Sequence, residues 1–288
     1  MKDKAFLVAG GCARSGTTAL GKALNAHPDI LLGNERYLGR FKSGKVTREH
    51  FEKERFLGGP RGLGESASEA YDRARIIGDK IPDIARTYRY VFDRFPGVRI
   101  VYIVRNPISV AESYEARKSD PSDHWMRNAT NAIATWNRSV SQTLAQLRRE
   151  KPITVVSYEK VFTSMENLGT LFGALGLDIA EADQAALAGL VEEFNTTIST
   201  KARARDETLR RRIALEADTQ SYRRIVRGHC ILSREEFGKA AKPKKNRAAA
   251  AKAKPSAEPG GKAKGGKRQP VRRARQMQAP PERDLATT

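Results

Sequence analysis

The stretch GGCARSGTTAL, residues 10–20, follows the apolar run of residues 5–9 and passes into a segment with a helical pattern. Glycines let backbone N–H groups approach a ligand closely, and the N-terminus of a helix favours negative charge. A buried strand that leads through such a loop into a helix is typical of a site for phosphate-like anions. We therefore predict an anion site at the carboxyl edge of a parallel sheet.

Further apolar runs and helical segments alternate along the chain. The runs occupy residues 30–32, 75–77, 98–104 and 153–157, and the helical patterns occupy residues 17–25, 107–117 and 129–149. Several runs contain consecutive β-branched residues without alternation, as strands buried on both faces do. The order predicts an α/β fold with a P-loop-like sheet of about five mostly parallel strands and helices on both faces.

The glycine loop departs from that of nucleotide kinases in two respects. Gly11 and Gly16 have the P-loop spacing, but Thr17 stands where a kinase or ATPase carries lysine. The cation lies inside the loop, at Arg14, and the most apolar run is followed by Arg105 and not by an acidic ligand for magnesium. We predict an anion site that works without a metal.

Two segments together resemble the sulfotransferase superfamily, and in particular its tyrosylprotein-sulfotransferase-like branch: ARSGTTAL and VYIVRNPISVAESYEARK. NAHPDILLGNERY, GDKIPDI, ATWNRSV and VVSYEKV are similar to further motifs of that family in the same order. The resemblance implies transfer of a sulfuryl group from 3′-phosphoadenosine 5′-phosphosulfate to a hydroxyl or amine of an acceptor. The acceptor stays unidentified, whether small molecule, carbohydrate or peptide.

The resemblance also implies which residues bind the nucleotide. Those around the 5′-phosphosulfate are Arg14, Ser15, Gly16, Thr17 and Thr18. Those for the 3′-phosphate and the rest of the nucleotide are Arg105, Ser113, Arg117 and Tyr158. A loop of backbone donors with an arginine suits linked tetrahedral anions.

The catalytic roles follow from the same resemblance. Glu35 takes the position of the general base, and Lys80 takes that of the lysine at the bridging oxygen, a task that Arg14 shares. Asp79 is a rival base, because some carbohydrate sulfotransferases use an acidic residue beside this lysine. We favour Glu35 because a positioned base is required and the family correspondence places it there.

The C-terminal part of the chain has a different composition from the rest. Residues 239–288 carry fifteen Lys or Arg and three acidic residues, so +12 of the net charge of +20 lies there. They contain few large apolar residues, which predicts a disordered tail after a sulfotransferase domain at residues 1–238. Such a tail suits weak binding to a polyanion.

The cysteines and the first apolar run bear on the cellular compartment, and two other classes of function stay open. Cys12 and Cys230 do not indicate a disulfide framework, and the first apolar run is too short for a signal peptide or a membrane span, so we predict a cytoplasmic protein. A catalytically inactive polyanion-binding protein acting through the tail and a P-loop nucleotide kinase stay open as alternatives. Residues 43–64 are expected to shape the acceptor cleft.

Truncation after Gly238 tests the domain boundary. We expect the melting temperature and the nucleotide affinity of the truncated chain to equal those of the full chain, because the tail lacks an apolar surface to bury. Thermal denaturation and calorimetric titration measure both quantities. A large fall in melting temperature would show that the tail is docked.

Overall fold

The computed structural model describes residues 4–59, 62–201, 207–226 and 229–232. The predicted tail, residues 239–288, lies outside these ranges, so its boundary stays a prediction. Within them, no helix is long and apolar enough to cross a membrane.

The described chain alternates strands and helices from its start. The strands are β1 Ala5–Gly11, β2 Ile30–Asn34, β3 Ile76–Pro82, β4 Arg99–Val104, β5 Ile153–Ser157 and β6 Ile231–Leu232. The helices are α1 Thr17–Asn25, α2 Leu38–Lys42, α3 Lys53–Leu57, α4 Ser68–Arg73, α5 Tyr88–Arg94, α6 Pro107–Lys118, α7 Ala129–Arg148, α8 Tyr158–Val161, α9 Met165–Ala174, α10 Gln184–Lys201, α11 Glu207–Glu216 and α12 Thr219–Val226. Short 3₁₀ helices occupy Arg48–Phe51, Glu65–Ala67, Ile84–Thr87 and Ile179–Glu181.

The strands form one sheet in the order β2-β3-β1-β4-β5-β6. The first five are parallel, and β6 pairs antiparallel with β5. Successive residues of β1 enter different cores: Phe6 and Val8 join the apolar cluster on one face of the sheet, while Leu7 and Ala9 join the cluster on the other. The prediction of a mostly parallel sheet covered on both faces is confirmed.

The connections around β1 create the crevice in which ligands bind in such sheets. After β1 the chain passes through α1 to β2, which lies to one side of β1 in the strand order. The later strand β4 pairs with the opposite edge of β1. The loop at the carboxyl end of β1 therefore lies where the direction of winding changes. The glycine at this end has a packing reason as well, because a Cβ on Gly11 would lie 2.3 Å from the carbonyl oxygen of Ile103.

Candidate active site

The loop between β1 and α1 presents backbone donors to the space in front of the helix. The N–H of Ser15 donates to the carbonyl of Cys12 (3.0 Å), and the first N–H to donate back into the helix is that of Leu20, to Gly16 (3.0 Å). The N–H groups of the first turn therefore have no helical acceptor and face outward. Gly16 adopts a φ of 91°, and a Cβ there would lie 2.2 Å from the Tyr158 ring.

Three arginines lie close together beside this loop. Arg14 donates through Nε to Ser113 Oγ (2.9 Å), and Arg105 donates through Nη1 to the carbonyl of Arg14 (3.1 Å). Burial, together with the charges of Arg117 and Arg105, lowers the pKa of Arg14. Like charges held this close repel each other, so an anion bound among them is stabilised.

A cavity of about 300 Å³ lies in front of the loop. It is lined by Arg14, Gly16, Thr17, Thr18, Ala19, Lys22, Arg105, Ser113, Tyr158, Phe162, Leu190, Glu193, Phe194 and Thr197. The Arg105 guanidinium lies 4.5 Å from the centre of the Tyr158 ring, and that ring lies 5.2 Å from the Phe194 ring. The cavity thus combines cationic side chains with aromatic rings, which suits a phosphorylated nucleoside.

A carboxylate and a lysine form an ion pair at the ends of the neighbouring strands. Lys80 Nζ donates to Glu35 Oε1 at 2.6 Å; the lysine side chain is 4% exposed and that of the glutamate 37% exposed. The turn after β2 places Glu35 at a φ of 59°, and its N–H donates to the carbonyl of Lys80 (3.0 Å). The pair therefore joins the end of β3 to the turn after β2.

Asp79 supports that turn from within the core. Its Oδ1 accepts the N–H of Arg36 (3.2 Å) and its Oδ2 accepts that of Tyr37 (2.8 Å). The residue is 0% exposed, and burial raises the pKa of its carboxyl from 3.8 to about 6. Both carboxylate oxygens are therefore engaged in shaping the backbone that follows Glu35.

A second cavity, of about 410 Å³, adjoins the first. Its lining includes Ala13, Glu35, Leu38, Lys42, Pro82, Asp83, Arg117, His124, Trp125, Met126 and Arg127. Arg14, Thr17 and Thr18 line both cavities. The two cavities therefore meet at the loop between β1 and α1, and the Glu35 carboxylate lines the second of them.

Comparison with known proteins decides the family. A model described as "Sulfotransferase family" matches residues 7–181. The chain belongs to the sulfotransferase family. It is 26% identical over 153 residues to human protein-tyrosine sulfotransferase 1, covering 48% of this chain and 41% of that protein, and 25% identical over 175 residues to the zebrafish protein of that name, covering 56% and 49%. The chain thus matches less than half the length of these relatives.

A solved structure agrees in fold with this member of the sulfotransferase family. The sulfotransferase of Alicyclobacillus acidocaldarius superimposes with a TM-score of 0.50 and 16% identity, over 78% of this chain and 94% of that chain. At this identity the likeness shows the fold alone. The α/β fold and the family resemblance predicted from the sequence are confirmed.

The structure brings most of the predicted nucleotide residues to one cavity. Those that line it are Arg14, Gly16, Thr17, Thr18, Arg105, Ser113 and Tyr158. Ser15 is fully buried in the loop, and its Oγ finds no hydrogen-bond partner among the described residues. Arg117 lines the second cavity and not the first, and it binds Asp123 through Nε and Nη2. Lys80 lines a third cavity, of about 580 Å³, that also reaches Thr18.

Sequence reasoning assigned no individual residue to the wall that α10 contributes. Leu190, Glu193, Phe194 and Thr197 line the first cavity, and their spacing of i, i+3, i+4 and i+7 places them on one face of the helix. This helix lies beyond the residues that the family model matches. The apolar members of that spacing were visible in the sequence, but spacing does not tell whether a face meets a core or a cavity.

The described part of residues 43–64 places its aromatic residues in the core, and the expectation that this segment shapes the acceptor cleft stays a prediction. Phe51 and Phe56 are fully buried, and the Phe51 ring packs 4.6 Å from Phe6 of β1. None of the described residues of the segment lines the cavity around Glu35. Its aromatic residues join the apolar core, while the loop between α6 and α7, residues 119–128, takes the place beside Glu35.

One group among the described residues has the spacing of metal ligands: His27, Asp29 and Glu181. The His27 ring Nδ1 accepts the N–H of Asp29 (3.1 Å), and Nε2 faces the carbonyl of Asp178 (3.1 Å). A ring that accepts at Nδ1 and donates at Nε2 has no lone pair free for an ion. His27 therefore stabilises the turn before β2.

The buried carboxyl of Asp79 leads to a pH-dependent prediction. Because its pKa rises from 3.8 to about 6 on folding, the stabilisation from the protonated form is complete below about pH 4 and is lost as pH rises through 6. The unfolding free energy of the native chain minus that of Asp79→Asn should therefore fall by about 2 kcal/mol between pH 4 and 7. Urea denaturation at several pH values measures it; a difference that does not change with pH contradicts the expectation.

Proposed function

We propose that this chain transfers a sulfuryl group from 3′-phosphoadenosine 5′-phosphosulfate to a hydroxyl group of an acceptor. The observation that carries the proposal is the meeting of two cavities at Arg14, Thr17 and Thr18. Group transfer requires donor and acceptor to meet at the reacting atoms. One cavity has the chemistry of a nucleotide phosphate site, and the other holds a carboxylate.

The residues of the first cavity fit a nucleotide with two separate phosphate positions. The loop N–H groups and Arg14 suit the 5′-phosphosulfate. Ser15 lies in the same loop, and its buried hydroxyl has no hydrogen-bond partner among the residues that the structure describes. Arg105 and Ser113 suit the 3′-phosphate, next to the N-terminus of α6, where Asn106 Oδ1 caps the N–H of Ile108 (2.9 Å). A side chain at position 16 would collide with the Tyr158 ring. Glycine at this position therefore lets the loop and the ring lie side by side in the wall of the nucleotide cavity.

The backbone of Arg105 is fixed independently of its guanidinium. The buried Trp136 donates through Nε1 to the Arg105 carbonyl at 2.9 Å. The adjacent Asn106 N–H donates to Glu159 Oε1 at 2.6 Å. Positioning of this kind lowers the entropy that Arg105 loses when it binds a phosphate.

The transfer itself is a displacement at sulfur. The acceptor oxygen forms a bond to sulfur, the bond between sulfur and the oxygen of the 5′-phosphate breaks, and the acceptor proton passes to Glu35. Arg14 and Lys80 stabilise the negative charge on the oxygen that leaves. In this structure one Nζ donor of Lys80 binds Glu35, and an ammonium group has two more for the leaving oxygen.

Glu35 is the better candidate for the base because it lies at the acceptor cavity and Asp79 does not. Glu35 lines that cavity and is 37% exposed, whereas both oxygens of the buried Asp79 accept backbone N–H groups. A base must reach the proton that it removes. Asp79 acts instead by holding the turn that carries Glu35.

The acceptor is proposed only as a hydroxyl compound. A tyrosine phenol is the first to test, because similar proteins are named protein-tyrosine sulfotransferases and because Leu38 and Trp125 give the Glu35 cavity apolar walls. Carbohydrate and small-molecule hydroxyls are the other acceptors to screen. The two free cysteines, Cys12 and Cys230, agree with a reducing compartment, so the cytoplasm is proposed as the location.

The nucleotide specificity can be measured without an acceptor. We expect adenosine 3′,5′-bisphosphate to raise the melting temperature without magnesium and ATP with magnesium to do so far less, because Arg105 and Ser113 form a second phosphate position. Arg105→Ala should weaken the binding of the bisphosphate about tenfold or more, the scale of a charge-assisted hydrogen bond to phosphate. Arg89→Ala, at a side chain that is 97% exposed on α5, is the control.

Equal stabilisation by ATP with magnesium would favour the nucleotide kinase instead. Stabilisation by neither nucleotide would favour the polyanion-binding alternative.

The chemistry is tested by separating binding from turnover. Glu35→Gln should lower turnover with a phenolic acceptor by about 10²-fold or more and leave the affinity for the bisphosphate unchanged, because a positioned base contributes on that scale. Lys80→Ala should also lower turnover, and raising the pH should not restore it, because it removes charge stabilisation and not a base.

Two variants control this experiment. Glu49→Gln, at a side chain that is 68% exposed, should leave turnover unchanged. If Asp79→Asn abolished transfer in a folded protein while Glu35→Gln did not, Asp79 would be the base.

A further inference from the structure

Arg117 lies between the cation cluster and the wall of the second cavity. It follows Ser113 by one turn on the same face of α6, and Ser113 Oγ accepts a hydrogen bond from Arg14. The charge of Arg117 is also one cause of the lowered pKa of Arg14. Its guanidinium therefore belongs electrostatically to the group of arginines at the nucleotide cavity.

The partners of Arg117 nevertheless come from the loop between α6 and α7. Asp123 accepts from both Nε and Nη2, the latter at 2.8 Å, and the guanidinium lies 4.5 Å from the centre of the Trp125 ring. The pair is partly exposed, with 34% of the arginine side chain and 23% of the aspartate side chain accessible.

The same loop, residues 119–128, forms one wall of the cavity that contains Glu35. His124, Trp125, Met126 and Arg127 line that cavity, and Met126 is 87% exposed. Near the C-terminal end of the loop, Arg127 Nη1 lies 3.8 Å from Oδ2 of Asp83, the residue that follows β3. A change at Arg117 would therefore reach the acceptor wall through Asp123 and Trp125.

We propose that Asp123 is a positioning residue that competes with the phosphates of the nucleotide for Arg117, so that nucleotide binding rearranges the acceptor wall at residues 119–128. The inference rests on the proposed function, since it needs a nucleotide in the first cavity. A phosphate carries more charge than a carboxylate and would lie near Arg14 and Arg105 as well. Arg117 thus exchanges one anionic partner for another.

The exchange links the two cavities energetically. The free energy needed to break the pair between Arg117 and Asp123 makes the free energy of nucleotide binding less favourable. A loop released from Arg117 can then close on an acceptor. By linkage, an acceptor that binds the released loop raises the affinity for the nucleotide by the same factor. The donor nucleotide would then favour acceptor binding before transfer begins.

Calorimetric titration with adenosine 3′,5′-bisphosphate tests the competition. Asp123→Asn should tighten binding about threefold to tenfold, the scale of a partly exposed ion pair, and Arg117→Gln should weaken it. In the double variant the gain should vanish, because Asp123 acts only through Arg117. Asp120→Asn is the matched control: the side chain of Asp120 binds Ser122, and its charge also acts on Arg117. This variant therefore gives the effect of losing a nearby negative charge without losing the ion pair between Arg117 and Asp123.

Tryptophan fluorescence tests the rearrangement of the wall. The chain has two tryptophans, so the difference between the native chain and Trp125→Phe isolates the emission of Trp125. The bisphosphate should change that emission in the native chain and not in Arg117→Gln at saturating nucleotide. An equal change in Arg117→Gln, or none in the native chain despite binding, would overturn the proposal.

The outcomes separate this inference from the proposed function. If the bisphosphate binds and Arg105→Ala weakens it, but Asp123→Asn matches Asp120→Asn or binds more weakly, the competition is disproved and the proposed function stands. If the native chain does not bind the bisphosphate, both fail. Loss of structure alone would not tighten binding, so a gain in Asp123→Asn supports the proposal.

Discussion

The ion pair between Lys80 and Glu35 is the contact on which the arrangement of the site depends. It joins the ends of two strands, and it holds because the backbone after Glu35 is tied to the buried Asp79 through the N–H groups of Arg36 and Tyr37. Parallel strands place all of these groups at one edge, beside the loop that follows β1. A carboxylate, a lysine and an anion-binding loop are thereby held within reach of each other.

The charge that matters for this site is local. Most of the net charge of the chain lies in residues 239–288, outside the described structure, yet Arg14, Arg105 and Arg117 concentrate positive charge where the two cavities approach each other. The three guanidinium groups repel each other, and a bound anion lowers this repulsion energy. The structure thus favours anion binding through the placement of a few guanidinium groups, independently of the tail.

At the carboxyl edge of the sheet, side chains of the same type have different surroundings. Glu35 is partly exposed and paired with Lys80, whereas the buried Asp79 accepts the backbone N–H groups of the turn after Glu35. Trp136 donates to the carbonyl of Arg105, while Arg117 is held by a loop that also lines the cavity around Glu35. Burial and partner, more than residue type, assign the roles.

The sequence by itself indicated the five parallel strands and the helices α1, α6 and α7, because apolar runs and helical spacing are local features. The family resemblance supplied about half of the residues that line the first cavity. Nothing local in residues 43–64 shows that Phe51 and Phe56 pack into the core. The wall from α10, the Asp123 partner of Arg117 and the difference between Glu35 and Asp79 were decided only by the tertiary structure. Each depends on which distant segment comes to lie opposite a side chain, and chain packing alone settles that.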